Sequence, residues 1–317
     1  MIKKSRKNSE YRSQKGNPAT GNVDSRRFSS TRFDENRVLH GEIAYILFAL
    51  VSLLFCPICS SATFSVATYN VENYELATKS EKSKTAVTRT IASAKPDIIG
   101  LSEMGSRKSL ADLQSRLKVA GLDYPHSEWV DGPDEARHVA LLSRFPIVAR
   151  DSRGHIPFTL GGRAQSVMRG FLDVTVILPS GEHLRLVGAH LKSRRVVPNF
   201  DQAQFRAREA VLLRRHIAAA EAPLLLVFGD LNDAKNEPPV REIIGSGKTA
   251  LVDLRPVDKN KEAWTHYWRE ADHYSRIDYL LASPQLARRY VRSKTYVAYP
   301  ADWFTASDHR LLVATFE

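Results

Sequence analysis

Short runs of valine, isoleucine and leucine recur along the chain after residue 63, and they limit the possible folds more than any other feature of the sequence. The runs have five to eight residues, and most are bounded by glycine, proline, aspartate or serine, which is typical of strands. They lie at residues 64–69, 98–102, 139–143, 171–178, 184–189, 224–228, 277–281 and 311–316. The pattern predicts a domain that is built mainly on these strands.

Helical patterns separate some of the runs, at about residues 81–95, 107–120 and 202–220. Other runs follow one another without a helix, and a Pro-Ser-Gly-Glu turn at residues 179–182 predicts a hairpin between two of them. This mixture predicts an α/β (α+β) fold in which mixed, largely antiparallel sheets are covered by helices. Because no repeat or low-complexity linker follows residue 63, we predict a single domain at residues 63–317.

The first 62 residues differ from the rest and predict a targeting segment. Residues 1–42 contain ten basic and five acidic side chains without apolar periodicity, so we expect a disordered basic lead. Residues 43–59 carry no charge, and small residues follow at 60–62, which predicts a signal peptide cleaved after Ala62. The alternative is a membrane anchor, because seventeen residues reach the lower limit of a bilayer span. In either case the basic flank stays in the cytoplasm, and the domain lies outside.

The composition narrows the function classes. With 43% hydrophobic and 26% charged residues, the chain is globular rather than fibrous or wholly disordered. It has 46 basic and 35 acidic side chains, and from residue 63 onward 36 and 30, so a basic excess remains that favours polyanionic partners. The two cysteines, Cys56 and Cys59, exclude a disulfide-stabilised fold and a cysteine-based zinc site after residue 60.

Acids, amides and histidines fall at the ends of several predicted strands. They are Asn70, Glu72, Glu103, His190, Asp230, Asn232, Asp278, Asp308 and His309. Any one of them is weak evidence, because polar residues cap strands in most proteins. Their joint recurrence indicates that they converge on one rim of the sheets.

These motifs, above all Gly-Asp-Leu-Asn at residues 229–232 and Ser-Asp-His at 307–309, resemble those of the endonuclease/exonuclease/phosphatase superfamily. The resemblance covers about residues 64–317. It implies a four-layer α/β sandwich of the DNase I type and Mg²⁺-dependent cleavage of phosphoester bonds. Residues 63–317 would then form one catalytic domain.

The predicted metal ligands are oxygen donors. Mg²⁺ prefers hard oxygen ligands, takes few of them from protein and keeps several waters. Glu103 is the best candidate, with Asn70 and Asp308 completing the set and Glu72 close behind. Mn²⁺ is an alternative occupant of the same site.

The predicted catalytic residues surround the phosphate. His309 is the favoured proton-transfer group, because an imidazole titrates near neutral pH, and Asp278 would hold its other ring nitrogen. Asp230 and Asn232 would position the attacking water and donate to a phosphoryl oxygen. The resemblance leaves open how Asp230 and His309 share the role of base. His190 would bind the phosphate and stabilise charge in the transition state.

The substrate is predicted from the charge and the aromatic residues. Arg169 and Lys192 would bind backbone phosphates, because each lies close to a motif strand. Aromatic residues near the motifs, among them Trp268, would stack on bases of DNA or RNA. A nuclease is therefore the first hypothesis; the alternatives are a sphingomyelinase-like lipid phosphodiesterase, a small-molecule phosphatase, or a binding module without activity. Six histidines outside the motifs, including His266, are interpreted as surface or packing residues, and we assume a monomer.

Export can be tested by locating the mature protein in the cell and determining its N-terminus. If residues 43–59 are a cleaved signal peptide, the protein leaves the cytoplasm and its N-terminus lies near Thr63, which N-terminal sequencing of the exported fraction measures. Full-length protein in the cytosolic fraction would contradict export. Membrane-bound protein that still contains Cys56 and Cys59 would identify the anchor instead.

Overall fold

The computed structural model describes residues 63–195 and 201–317. The predicted basic lead at 1–42 and the predicted signal or anchor at 43–62 lie outside the described residues. Every described residue falls within one compact unit. In this part of the chain, no helix has both the length and the apolar character that crossing a bilayer requires.

The structure contains sixteen strands in the described residues, and their bounds follow in chain order. They are β1 (Phe64–Tyr74), β2 (Ile98–Met104), β3 (His126–Trp129), β4 (His138–Ser143), β5 (Ile147–Arg150), β6 (Pro157–Leu160), β7 (Arg163–Ser166), β8 (Phe171–Ile177), β9 (His183–His190), β10 (Leu225–Asp230), β11 (Val252–Asp253), β12 (His266–Trp268), β13 (His273–Ser275), β14 (Asp278–Ala282), β15 (Tyr296–Val297) and β16 (Leu312–Phe316). All eight predicted strands are present, and the additional ones are short.

Six α-helices accompany the strands in the same residues. They are α1 (Glu81–Ala94), α2 (Arg107–Val119), α3 (Gln202–Ala218), α4 (Pro238–Ile244), α5 (Pro284–Ala287) and α6 (Trp303–Ala306). Short 3₁₀ turns occur at Gly247–Thr249, Arg269–Ala271 and Arg292–Lys294. The three long helices begin at side-chain caps, in which Ser80, Ser106 and Asp201 each accept a backbone N–H of the first turn.

The strands form two six-stranded sheets. The first has the order β15-β16-β1-β2-β4-β3 and the second β11-β14-β10-β9-β8-β5, while β6–β7 and β12–β13 are separate two-stranded ribbons. In each sheet one central pair is parallel, β1 with β2 and β9 with β10, and the other neighbours are antiparallel. The predicted mixed, largely antiparallel architecture is therefore confirmed.

Three apolar clusters stack these elements in four layers. The middle cluster joins side chains of both sheets, such as Leu141 of β4 and Leu226 of β10. A second cluster packs α1 and α2 on the outer face of the first sheet, and a third packs α3 and α4 on the outer face of the second. Helix, sheet, sheet and helix follow one another, as the sandwich predicted from the sequence requires.

The two sheets meet closely at the ring of Phe228. A Cβ atom at Gly100 in β2 would lie 1.9 Å from Phe228 Cε2, and one at Gly188 in β9 would lie 2.7 Å from the same atom. Both glycines therefore make room for the ring. Phe228 lies two residues before Asp230, and Gly100 lies three residues before Glu103, so this close contact is near the strand ends that carry the predicted site residues.

Replacing Gly100 tests this contact. Because a methyl group has no space there, we expect Gly100→Ala to lower the free energy of unfolding by about 2 kcal/mol, within the range for overpacked cores. Phe228→Leu removes the ring atoms that clash, so the double variant should lose less than the sum of the two single variants in chemical denaturation. Strict additivity would show that the ring does not confine this glycine.

Candidate active site

The predicted site residues of the two sheets meet at one seam. Because β1 and β2 are parallel, and likewise β9 and β10, their carboxyl ends fall at the same edge of each sheet. Asn70 Nδ2 lies 3.3 Å from Glu103 Oε1 and donates 3.1 Å to Asp230 Oδ2 on the other sheet. His190 Nε2 lies 3.6 Å from Asp230 Oδ2. The structure therefore brings these four residues together.

The backbone is unusual where the strands reach the site. Glu72, Glu103 and Asn232 have φ angles of 47°, 59° and 52°, in the left-handed region that non-glycine residues adopt rarely. The register of β1 against β2 shifts between Asn70 and Tyr74, and that of β2 against β4 shifts between Leu101 and Met104. Such irregularities redirect side chains and concentrate at functional sites.

Asp278 and His309 form a buried pair. Asp278 Oδ2 lies 2.8 Å from His309 Nδ1, and the two residues are only 1% and 5% exposed. Burial disfavours the imidazolium, but the negative charge and hydrogen bond of Asp278 outweigh it and raise the pKa of His309 well above its usual value. The other ring nitrogen, Nε2, lies 3.8 Å from Asp230 Oδ2 and 3.9 Å from Asp308 Oδ1.

Asp230 and His190 have shifted pKa values as well. Burial and the charge of Asp278 raise the pKa of Asp230, whose Oδ1 accepts the backbone N–H of Asn232 at 2.9 Å. Burial and the charge of Arg169 lower the pKa of His190 well below its usual value, so its imidazole is neutral. His190 Nδ1 is buried without a hydrogen-bond partner among the described residues, which leaves Nε2 as the nitrogen that carries the proton toward the pocket.

The oxygen donors of the site fit a hard divalent cation. Glu72, Glu103 and Asp308 line one pocket. Asn70 lies beside them, with its Nδ2 toward Glu103 and its Oδ1 accepting the backbone N–H of Glu72 at 3.0 Å. Burial and the charges of Asp308 and, more weakly, Glu103 raise the pKa of Glu72, although Lys79 opposes this effect. Asp308 shows the opposite shift: burial raises its pKa, but the hydrogen bond of His266 and the charges of His309 and His266 outweigh burial and lower it. Carboxylate oxygens are the donors that Mg²⁺ or Mn²⁺ prefers.

The lining of this pocket, which has a volume of about 1170 Å³, includes several basic side chains. Arg137, Lys192, Arg194 and Arg195 line it. Burial and the charge of Arg169 lower the pKa of Lys192, so this ammonium lies in an environment that favours an anion beside it.

Arg169 and Asn232 also line the pocket, but protein groups already engage them. Arg169 is 4% exposed, its Nε lies 2.8 Å from Asp134 Oδ2, and its Nη1 donates to the carbonyl of Leu191. The Nδ2 group of Asn232 donates to the same carbonyl at 2.9 Å. Of the two predicted phosphate contacts, Lys192 is thus the one whose ammonium has no ion pair among the described side chains.

The ribbon of β12 and β13 also contributes to the pocket. His266, Trp268, Glu270 and His273 line it. The ring of His266 lies 4.6 Å from that of His309, and its Nε2 lies 3.7 Å from Asp308 Oδ2. His266 thus packs against a predicted catalytic residue and lines the pocket, a position that its interpretation as a surface or packing residue did not include. The cause is a backbone bridge between residues 266 and 309, which no local sequence pattern indicates.

Comparisons with known proteins agree with this geometry. A model described as the Endonuclease/Exonuclease/phosphatase family matches residues 67–309. No curated protein sequence matches the chain.

Three of the solved structures that share the fold illustrate the range of proteins that adopt it. Sphingomyelinase C from Streptomyces griseocarneus is 17% identical, with 81% of this chain and 100% of that one covered at a TM-score of 0.56. Truncated TDP2 from Caenorhabditis elegans is 18% identical, with 81% and 98% covered and a TM-score of 0.57. A variant of beta toxin from Staphylococcus aureus, described with bound magnesium ions, is 16% identical, with 81% and 100% covered and a TM-score of 0.57. Identities this low establish the fold and not the substrate.

Proposed function

Because the chain belongs to the endonuclease/exonuclease/phosphatase family, whose members hydrolyse phosphoester bonds, we propose that it is a metal-dependent phosphodiesterase that cleaves DNA or RNA. The observation that carries the proposal is the buried Asp278–His309 pair beside Asp230, at the edge of a pocket lined by oxygen donors and basic side chains. Such a pocket provides proton transfer and phosphate binding in one place.

The proton roles follow from the two pKa shifts. The raised pKa of Asp230 brings this carboxylate toward neutral pH, where a general base works best, so Asp230 accepts the proton of the attacking water. The raised pKa of His309 keeps its imidazole protonated, so Nε2–H donates toward the phosphate. Asp278 stabilises that imidazolium at Nδ1, and neutral His190 donates a hydrogen bond to a phosphoryl oxygen.

Glu103, Asn70, Asp308 and Glu72 are the residues we propose to hold the divalent ion. When bound, a cation at these oxygens neutralises charge on the phosphoryl group and polarises it for attack. Mg²⁺ is the proposed ion, and Mn²⁺ satisfies the same donors.

The preference for nucleic acid is supported by two kinds of side chain in the pocket lining. Lys192, Arg194 and Arg195 are basic, and Trp268 is an aromatic residue that is 54% exposed. A chain of phosphates and bases offers anions to the basic residues and flat rings to the tryptophan.

A lipid substrate is the alternative, and the similarity to a sphingomyelinase fold keeps it as a candidate. In the segment before the Ser-Asp-His motif, Trp303 packs edge-on against Trp264, and Tyr299 lies 6.0 Å from the same ring. Tyr299 is nevertheless 41% exposed, so hydrolysis assays with both kinds of substrate have to distinguish the two proposals.

We further propose that the catalytic domain acts outside the cytoplasm. The support is the uncharged run at residues 43–59 with its basic flank, which lies outside the described residues. The alternative of a retained anchor leaves the catalytic domain on the same side of the membrane.

A panel of substrates tests the proposed activity. With Mg²⁺ present, we expect the protein to hydrolyse plasmid DNA or RNA at least tenfold faster than sphingomyelin or a phosphomonoester. Glu103→Gln keeps the size of the side chain but removes a charge that we propose binds the metal. This variant should therefore lose activity at low Mg²⁺ and recover part of it at high Mg²⁺.

Each other outcome of the panel has a defined meaning. Preferential hydrolysis of sphingomyelin would replace the nuclease with the lipid enzyme. Activity that Glu103→Gln leaves unchanged at every Mg²⁺ concentration would remove Glu103 from the ligand set. An inactive protein on all four substrates would contradict the proposed function.

A further inference from the structure

Glu209, in the middle of α3, is a fully buried carboxylate that the proposed reaction does not use. Its Oε1 accepts the backbone N–H of Met168 at 3.0 Å, and its Oε2 accepts the backbone N–H of Lys192 at 2.7 Å. Met168 directly precedes Arg169 in the chain. One carboxylate therefore fixes the backbone at or beside both residues that the sequence predicted as phosphate contacts.

A second charged residue of α3 holds the same segment. Arg206, one turn before Glu209, donates from Nη1 to the carbonyl of Lys192 at 3.1 Å and from Nε to Asp233 Oδ2 at 2.8 Å. Helix α3 thus binds both the N–H and the C=O of Lys192. Through its contact with Asp233, Arg206 also links the backbone of Lys192 to the residue directly after Asn232.

The environment of Glu209 differs from that of Asp173, another buried acid beside α3. Asp173, which contacts the end of α3, is neutralised by Arg185 at 2.6 Å and by His216 at 2.7 Å. Glu209 forms no ion pair with any side chain in the described part of the chain, although its carboxylate is as deeply buried. Burying a carboxylate is costly, and for Glu209 the two backbone N–H groups of Met168 and Lys192 offset this cost in place of an ion pair.

The electrostatics link Glu209 to the basic side chains of the pocket. Burial raises the pKa of Glu209 to about 7, while its two backbone hydrogen bonds and the positive charges of Arg169 and Lys192 oppose the rise. Burial and the charge of Arg169 lower the pKa of Lys192, and the charge of Glu209 partly offsets them. Glu209 and Lys192 therefore favour each other's ionised forms.

We propose that Glu209 is a positioning residue for phosphate binding, which holds Lys192 and the backbone before Arg169 in the geometry that receives a phosphoryl group. This inference rests on the proposed phosphoesterase function and adds to it a residue that never touches the substrate. Its effect is transmitted through Lys192. Changing Glu209 should therefore weaken binding of phosphate more than it slows the chemical step.

Calorimetric binding of inorganic phosphate by the full chain, in EDTA so that no metal contributes, tests the proposal without catalysis. Glu209→Gln replaces one acceptor by an amide N–H group that faces a backbone N–H. We therefore expect the dissociation constant for phosphate to rise about tenfold, the order expected for the loss of a buried hydrogen bond to a charged group. Asp173→Asn is the matched control, since it alters a buried carboxylate against the same helix. It should lower the melting temperature but change the dissociation constant less than twofold.

A cycle with Lys192→Met identifies the route of the effect. In the Lys192→Met background, Glu209→Gln should weaken phosphate binding by threefold or less, because the side chain that it positions is gone. Glu209→Asp, which keeps the charge on a shorter side chain, should bind phosphate with intermediate affinity and supplies the comparison if Glu209→Gln does not fold. On a small chromogenic phosphodiester, we expect KM to rise about as much as the phosphate dissociation constant.

The failures of the two proposals can be told apart. One outcome would overturn the proposed function alone: the wild type binds phosphate, Glu209→Gln binds it more weakly, and the wild type hydrolyses no phosphoester. Unchanged phosphate affinity in the Glu209 variants, full additivity with Lys192→Met, or no phosphate binding by the wild type would each overturn the positioning role.

Discussion

The hydrogen bond between Asp278 and His309 joins the two sheets at the active-site edge. Asp278 begins β14 in the second sheet, and His309 lies just before β16 in the first. Neighbouring groups fix both partners: Thr265 Oγ1 accepts the backbone N–H of Asp278, and Ser307 Oγ accepts that of His309 while donating to the carbonyl of Asn70. Because both side chains are buried, removing His309 would leave the carboxylate of Asp278 without this hydrogen-bond partner, which is costly in a buried position.

The same interaction organises the chemistry around it. The charge of Asp278 raises the pKa of His309, and together with burial, the larger cause, it raises the pKa of Asp230. The phosphate binding that we propose involves Lys192, whose backbone α3 holds. The proposed proton transfer and the proposed phosphate binding thus rest on separate buried contacts.

The sequence predicted the long strands and the polar residues at their ends because these patterns are local. Strands such as β2 and β10 are apolar runs buried on both faces, and each ends in acids or amides. The three-residue strand β12 escaped prediction because it exists through pairing with β13 and a bridge to His309, so the place of His266 was missed. Glu209 looked like one charge among many on α3, and the ion pair of Arg169 depends on Asp134, 35 residues away. Such long-range partners leave no signal in the neighbouring residues.

The most direct test of the central claim is a double-mutant cycle on Asp278 and His309, read as kcat on a phosphodiester at fixed Mg²⁺. His309→Ala should lower kcat about 100-fold or more, the range of positioned acid–base groups, and Asp278→Asn somewhat less. If Asp278 acts by holding His309, the double variant should be little slower than His309→Ala alone. Full additivity of the two activation free energies, at an unchanged melting temperature, would contradict the pair and assign proton transfer to Asp230 without it.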